Sequence, residues 1–427
     1  MSRALDVYIE AEGIGRLFEN TGIWSFQYDS AWQASGYPIA PRLPLQAAEI
    51  VDTGTERPVQ WFFDNLLPEE MARTRLVASL EKGEWDAWRL LERFGSESAG
   101  ALTLLKPGDS LAEPGLNRLG DEQLQARILA MPHVPLGSDA PKKMSLAGAQ
   151  EKLPVVVNEA GEIFDPVGSQ ISTHILKPDA LSEYYPASAV NEWFCARVAQ
   201  ALKLNVPSVE LRYVPSCIYL IERFDRAWVN GTLVRRHALD AAQLLSLSAG
   251  SKYTMSGAKA LNDVVDICRA KAPTRIALFR WALFNVLIGN HDAHLKNISL
   301  YAGHEGYSLA PHYDLVSTAS WARPELVNQG PTWPDIELSF PIGDATSFRN
   351  IRREHLFQFA EALKLPEITA NREISRLVEG IIAAADKVMA EFEHRDDVPA
   401  NMRAGQLRML RSIRHLPVAG MQAQLSG

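Results

Sequence analysis

The chain has 427 residues, 47% hydrophobic and 22% charged, an ordinary globular composition that excludes a disordered chain, a collagen and a coiled-coil rod. Lys and Arg number 43 against 51 Asp and Glu, a net charge of −8, so a bare nucleic-acid binder with its basic footprint is disfavoured. At roughly 150 residues per domain this length points to two or three domains.

The N-terminus, MSRALDVYIEAEGIG, has no long apolar run after Arg3 and does not read as a signal peptide. Val7, Ile9 and the run Ile23-Trp24-Ser25-Phe26, bounded by Gly13, Gly15 and Gly22, predict strands. Pro38, Pro41 and Pro44 punctuate the next stretch. Residues 61–68 then lead into a helix with Glu69 and Glu70 in its first turn, where carboxylates suit the helix dipole. Residues 106–143, rich in Pro, Gly and Leu, read as a tether carrying one short helix and mark the first boundary. LPVVVN, EIFDP and THILKP then read as consecutive strands.

Ala189, Trp193, Ala196, Val198 and Ala199 form one helical face and predict a helix over 188–204. VELRYV and CIYLIERF predict a hairpin turning at Pro215-Ser216. After Asp225 the chain is expected to be mostly helical to its end. A β-rich lobe followed by a helical lobe suggests a ligand cleft between the two. The most apolar segment, 276–289, is interrupted by Arg280 and too short to span a bilayer. Cys195, Cys217 and Cys268 form no CxxC or zinc spacing and read as buried thiols in a reducing cytoplasm.

Four local features carry chemistry. Residues Ser145-Leu146-Ala147-Gly148-Ala149-Gln150-Glu151-Lys152 precede a strand, and their small side chains let backbone amides approach phosphate oxygens. The G-x4-G-K of a Walker loop is absent, and a plain tight turn is the alternative. Lys177 ends a predicted strand and can pair with nucleotide phosphates, or be a solvated lysine. Glu192, in the following helix, can hold that lysine, or simply serve the helix dipole.

The richest run, Gly289-Asn290-His291-Asp292-Ala293-His294-Leu295-Lys296-Asn297, follows the apolar ALFRWALFNVLI. Delivering so many polar groups from a buried helix is costly unless they are used. Asp292 can accept a hydroxyl proton and Asn297 can hold Mg²⁺, the Asp-x4-Asn spacing of a phosphoryl-transfer loop. A transition-metal site from His291, Asp292 and His294, or a merely structural loop, are the alternatives. Asp314, within Pro311-His312-Tyr313-Asp314-Leu315, stands where a kinase carries its second metal-binding aspartate, or is a surface residue. Together the order of these features follows that of a bilobal kinase.

FFDNLLPEE, SLAGAQEKLPV, THILKP, NEWFCARVA, IERFDR, GNHDAHLKN and PHYDL, in this order over nearly the whole chain, resemble the HipA family of bacterial serine/threonine kinases, the toxin halves of toxin–antitoxin pairs. The resemblance implies an α+β, bilobal protein-kinase-like fold. It has a β-rich N-terminal lobe, an extra N-terminal subdomain and a mostly α-helical C-terminal lobe, divided as residues 1–130, 131–226 and 227–427.

The same resemblance implies that Ala147, Gly148, Ala149, Gln150, Glu151 and Lys152 form the phosphate loop and that Lys177 contacts ATP. Glu222, Arg223 and Phe224 would meet the adenine, and His294 and Lys296 the nucleotide. Asp292 would be the catalytic base, Asn297 and Asp314 the Mg²⁺ ligands, and Ser145 an autophosphorylated, self-inactivating serine. Phosphate there adds about −1.5 to −2 charges beside the phosphate loop. The implied protein is a cytoplasmic, ATP- and Mg²⁺-dependent kinase with no membrane attachment, acting on a translation component such as an aminoacyl-tRNA synthetase. Its partner would be a helix-turn-helix antitoxin carrying most of the DNA affinity, in keeping with the acidic charge of this chain. Two rivals are a small-molecule kinase of the aminoglycoside or choline type, and a catalytically silent co-repressor working with the antitoxin.

Overall fold

The computed structural model describes residues 3–78, 80, 83–131, 133–142, 150–180, 182–322 and 331–427. The chain gathers into two compact units: Met1–Lys177 with Glu222–Lys252 and Ser299–Ala310, and Pro178–Ile221 with Tyr253–Ile298 and Pro311–Gly427.

The first unit begins as an antiparallel meander. Leu5, Val7 and Leu17 are fully buried between more exposed neighbours, the period-two pattern of a sheet with one covered face. Strands Ile50–Val51, Ile23–Tyr28, Glu12–Asn20, Arg3–Ile9 and Leu102–Leu105 lie side by side in that order. Helices Pro58–Asp64 and Ala87–Phe94 cover the buried face, with Phe63 5.7 Å from Phe26 and Trp88 edge-on 5.1 Å from Trp24. Asp86 caps the latter helix by accepting the Arg89 amide at 2.8 Å. The expected tether contains the short helix Asp121–Ala130 and also a strand, Gly115–Arg118. That strand pairs with Ile163–Val167, which pairs with Leu153–Val157, which pairs with His174–Pro178, all antiparallel. A buried ion pair, Arg127 to Asp165 at 2.6 Å, ties the helix to this run.

The expectation of a mostly helical chain after Asp225 fails locally. Arg226–Val229 and Thr232–Arg235 form a hairpin, and Ala238–Asp240, Ser299–Gly303 and Gly306–Leu309 form a three-stranded sheet. The cause is turn chemistry. Asn230 and Gly231 both take positive φ, 50° and 78°, the Asn-Gly turn that closes a two-residue hairpin.

The second unit is helical around Ser188–Ala201, whose residues are nearly all buried. The expected hairpin is present, Tyr213 opposite Cys217. Helices Ala258–Ile267, Lys271–Leu287, Arg353–Ala362, Glu367–Glu393, Ala400–Ile413 and Ala419–Leu425 complete the core, and a small hairpin joins Glu337–Ile342 to Ala345–Ser347. All three cysteines are buried free thiols. Among the described residues no helix is long and apolar enough to cross a membrane.

Candidate active site

The Lys271–Leu287 helix is buried over most of its second half, including Phe279, Trp281, Phe284 and Leu287. Ile288 and Gly289 end it. Gly289 sits at φ +67°, where a Cβ would come within 2.8 Å of Ala319 and 2.7 Å of Pro417. A side chain at this position would therefore be both strained and crowded.

Amides then carry the core's rigidity outward. Asn290 donates its side-chain amide to Asn285 Oδ1 at 2.8 Å and accepts the Asp292 N–H at 3.0 Å. Asp292 itself is exposed, and its Oδ1 accepts the Tyr253 hydroxyl at 2.6 Å. The loop is also held from its flank, where Thr318 Oγ1 accepts the His291 N–H at 2.8 Å.

One turn of 3-10 helix, Leu295–Asn297, completes the loop. Asn297 Oδ1 accepts the His294 N–H at 2.9 Å, and its amide nitrogen lies 3.5 Å from Asp314 Oδ2. The Tyr313 hydroxyl donates to the Lys296 carbonyl at 2.7 Å, binding the two segments next to this pair. Asp314 holds φ at +51°. Aspartate tolerates that left-handed region better than most residues, yet at a cost of order 1–3 kcal/mol, and such outliers cluster at functional sites.

The segment beyond Asp314 is fixed by Asn191 of the Ser188–Ala201 helix, which accepts the Ser317 N–H at 2.9 Å and donates to the Ser317 carbonyl at 3.1 Å. Burial, then the negative charges of Glu192 and Asp314, push the Tyr219 phenol well above its usual range. Both carboxylates therefore bear on one buried ring.

Asp314 presents a carboxylate, and the Asn297 amide oxygen, which accepts the His294 N–H, keeps a second lone pair; hard oxygen donors of this kind hold Mg²⁺ together with substrate phosphates and water. They fit that ion. The alternative of a transition-metal site does not survive: among the described residues no three His, Cys, Asp or Glu converge as metal ligands. The His291 ring turns to Thr318, Nδ1 to Oγ1 at 2.8 Å, and the His294 ring packs edge-on to Tyr253 at 5.0 Å.

The remaining sequence candidates are placed as follows. Glu192 is buried in the second unit. Lys177 is buried in the first, on the strand His174–Pro178, where its neighbour Leu176 registers with Leu153. Ser145, Ala147, Gly148 and Ala149 lie outside the described residues. Gln150, Glu151 and Lys152 are half-buried, and Glu151 accepts the Leu136 N–H at 3.1 Å. Glu222 is exposed, and the Phe224 carbonyl accepts the Tyr301 hydroxyl at 2.9 Å.

The Arg223 side chain is engaged elsewhere. Its guanidinium makes two bonds to Asp225, at 2.9 and 2.6 Å, and others to Ser172 and the Ser98 carbonyl, all buried. Its N–H donates to the Thr173 carbonyl at 2.9 Å, so any contact of Arg223 with a nucleotide is left to its backbone carbonyl, which also accepts the Arg226 N–H at 3.2 Å. Sequence reasoning missed Tyr253, Asn290, Thr318 and Asn191. Asn290, inside the Gly289–Asn297 run, and Asn191, the first residue of NEWFCARVA, stood within motifs; Tyr253 and Thr318 did not.

Against known proteins, residues 5–105 match the HipA N-terminal domain and residues 144–388 the HipA-like C-terminal domain. The chain is 30% identical over 424 residues to the serine/threonine-protein kinase toxin HipA of Shewanella oneidensis, covering 94% of this chain and 92% of that protein. It is 31% identical over 409 residues to the putative kinase Y4mE of Sinorhizobium fredii, covering 91% and 92%. A solved structure from the Shewanella oneidensis complex of HipA, HipB and operator DNA aligns with a TM-score of 0.78 at 27% identity, over 98% of this chain and 99% of that one.

Proposed function

The chain belongs to the HipA family of serine/threonine-protein kinases, and from that premise we propose that it moves the γ-phosphoryl group of ATP to a protein hydroxyl as the toxin of a toxin–antitoxin pair. The observation that carries this reading is that one loop of one unit bears both an exposed Asp292 and Asn297, the latter 3.5 Å from Asp314.

Asp292 orients the substrate hydroxyl and takes its proton, while Tyr253 steadies one carboxylate oxygen. Asn297 and Asp314 would hold Mg²⁺, which when bound neutralises charge on the β- and γ-phosphates. Lys177 pairs with the phosphates; residues Ala147 to Lys152 cover them; His294 and Lys296 contact the nucleotide. Glu222, Arg223 and Phe224 meet the adenine, Arg223 through its backbone carbonyl. The protein's part is positioning and electrostatic preorganisation.

We assign residues 1–130 to the family's N-terminal subdomain, 131–226 to the small lobe with its phosphate loop and 227–427 to the lobe bearing the catalytic loop. Phosphorylation of Ser145 by the protein's own activity inactivates it. The substrate is a component of translation, such as an aminoacyl-tRNA synthetase, met in the cytoplasm. The Shewanella relative's complex with HipB and operator DNA supports a helix-turn-helix antitoxin as partner here, through which DNA is reached.

Intact-mass measurement after incubation with Mg-ATP tests the reading. The wild type gains one phosphate, mapped to Ser145, unless it arrives already carrying it. Asp292→Ala and Asp314→Asn each slow the gain about 100-fold or more while folding normally. Wild-type protein that starts unmodified and stays unmodified overturns self-phosphorylation and returns weight to the small-molecule kinase or the silent co-repressor.

A further inference from the structure

The first unit holds a buried ionic cluster that the phosphoryl-transfer chemistry does not use. At its centre is Glu97, 1% exposed, between the Ala87–Phe94 helix and the Leu102–Leu105 strand. Its Oε1 accepts from Arg226 at 2.9 Å and lies 3.4 Å from Arg223. Its Oε2 accepts from Lys142 at 2.7 Å and from Arg235 at 3.0 Å. A second carboxylate, Asp225, binds Arg223 at 2.6 Å and lies 3.3 Å from Arg226. Asp225 also accepts the Gly100 N–H at 2.6 Å, and Lys142 donates to the Gln170 carbonyl at 3.1 Å. Burial alone would raise the Glu97 carboxyl, but Lys142, Arg226, Arg235 and Arg223 outweigh it and hold it well below the usual carboxylate range.

Such a network is a poor source of stability, because well-packed apolar side chains of similar volume often do as well or better. Geometric registry is its better-attested use. What it registers here is specific. Glu97 and Gly100 belong to the stretch matching the HipA N-terminal domain. Lys142 stands three residues before Ser145, at the entry to the proposed phosphate loop. Arg223 lies in the segment proposed to meet the adenine, and Arg226 and Arg235 flank the Asn230-Gly231 hairpin.

We infer that Glu97 is a positioning residue for the nucleotide: one carboxylate of the N-terminal module sets, through Lys142 and Arg223, the entry of the phosphate loop and the adenine-facing segment. The N-terminal module is thereby part of the nucleotide site's frame. This rests on the nucleotide site proposed above.

Lys142→Met tests it, because this change removes only the arm toward the loop and leaves Glu97 with its three arginines. The probe is a fluorescent N-methylanthraniloyl ATP with Mg²⁺, with rates followed by intact mass. Lys142→Met weakens nucleotide binding about tenfold while its rate at saturating ATP stays within about threefold of wild type. Lys142→Arg restores the wild-type affinity. Glu97→Gln reproduces the affinity loss; should it not fold, the two Lys142 variants decide alone.

Equal affinity in Lys142→Met and wild type overturns the inference. So does an affinity loss that follows a falling Tm and is not recovered in Lys142→Arg. Wild type and Asp292→Ala separate this from failure of the site reading. Both bind the nucleotide if that reading holds, and neither does if it fails.

Discussion

Asp292 owes its placement to groups distant in sequence. Tyr253, 39 residues away, donates a 2.6 Å hydrogen bond to its Oδ1, and Asn290 holds its backbone. A phenol donating to a carboxylate oxygen holds one rotamer. Tyr253→Phe therefore lowers kcat about threefold to tenfold while leaving the KM for ATP unchanged. Steady-state kinetics on both constants check this, and an unchanged kcat would show the phenol to be idle. As candidates, Asp292 and Asn297 stood out in the sequence because their spacing is itself the signal, and Asp314 because of its place in the order of the motifs. Tyr253 did not, since a residue whose role is a hydrogen bond 39 positions away leaves no local pattern; Asn191 stood inside NEWFCARVA, but its bond to Ser317, 126 positions away, could not be read there. Arg223 shows the converse. Its motif pointed to nucleotide, but burial beside Asp225 and Glu97 commits its guanidinium to structure.

Elements depend on the same long reach. The Ser188–Ala201 helix starts after Ala187, which has φ +54° and no side chain able to cap. Asp179 supplies the cap from outside, accepting the Ala189 N–H at 2.8 Å. Burial pushes its carboxyl up to about 6, against the opposing pull of the Ala189 and Ser188 hydrogen bonds. A carboxyl with a raised folded-state value gives stability that is full below the unfolded value of 3.8 and is lost as pH rises through 6. About two pH units amount to about 3 kcal/mol at most. Asp179→Asn keeps an acceptor without the charge. Its Tm should match wild type near pH 4 and exceed it by roughly 5 °C near pH 7. A Tm difference that is constant across that range would refute the charge argument. The hairpin after Asp225 was legible in principle, because Asn-Gly between apolar runs is a strong hairpin signal. The expectation of helix there gave too little weight to two residues.

Across the whole molecule, each unit buries a histidine. In the first, His237 Nε2 meets the Ile39 carbonyl at 2.9 Å; in the second, the His312 ring lies 6.5 Å from Trp281. Burial pulls both down to about 4 from 6.5. The neutral form's stability is full above pH 6.5 and is lost as pH falls through 4, by roughly 3 kcal/mol for each histidine. Asp179 runs the other way at about the same size, so the two histidines outweigh it. The Tm falls as pH is lowered from 6.5 to 4, and His237→Gln flattens part of that loss. A Tm that holds or rises on acidification would show these imidazoles to be solvated.

Sequence by itself determined the types of most elements, the absence of a long apolar span, the order of the chemistry-bearing motifs and the family. Hydrophobic period, turn residues and close motif spacing act within a few positions, and a linear reading captures them. Tertiary structure alone decided which groups meet: Tyr253 on Asp292, Asn297 beside Asp314, Asp179 on a distant helix, and Glu97 among Lys142, Arg223, Arg226 and Arg235. The reason is physical. A buried polar group must find a partner wherever the fold brings one, and that partner's place in the chain is set by packing rather than by any local rule.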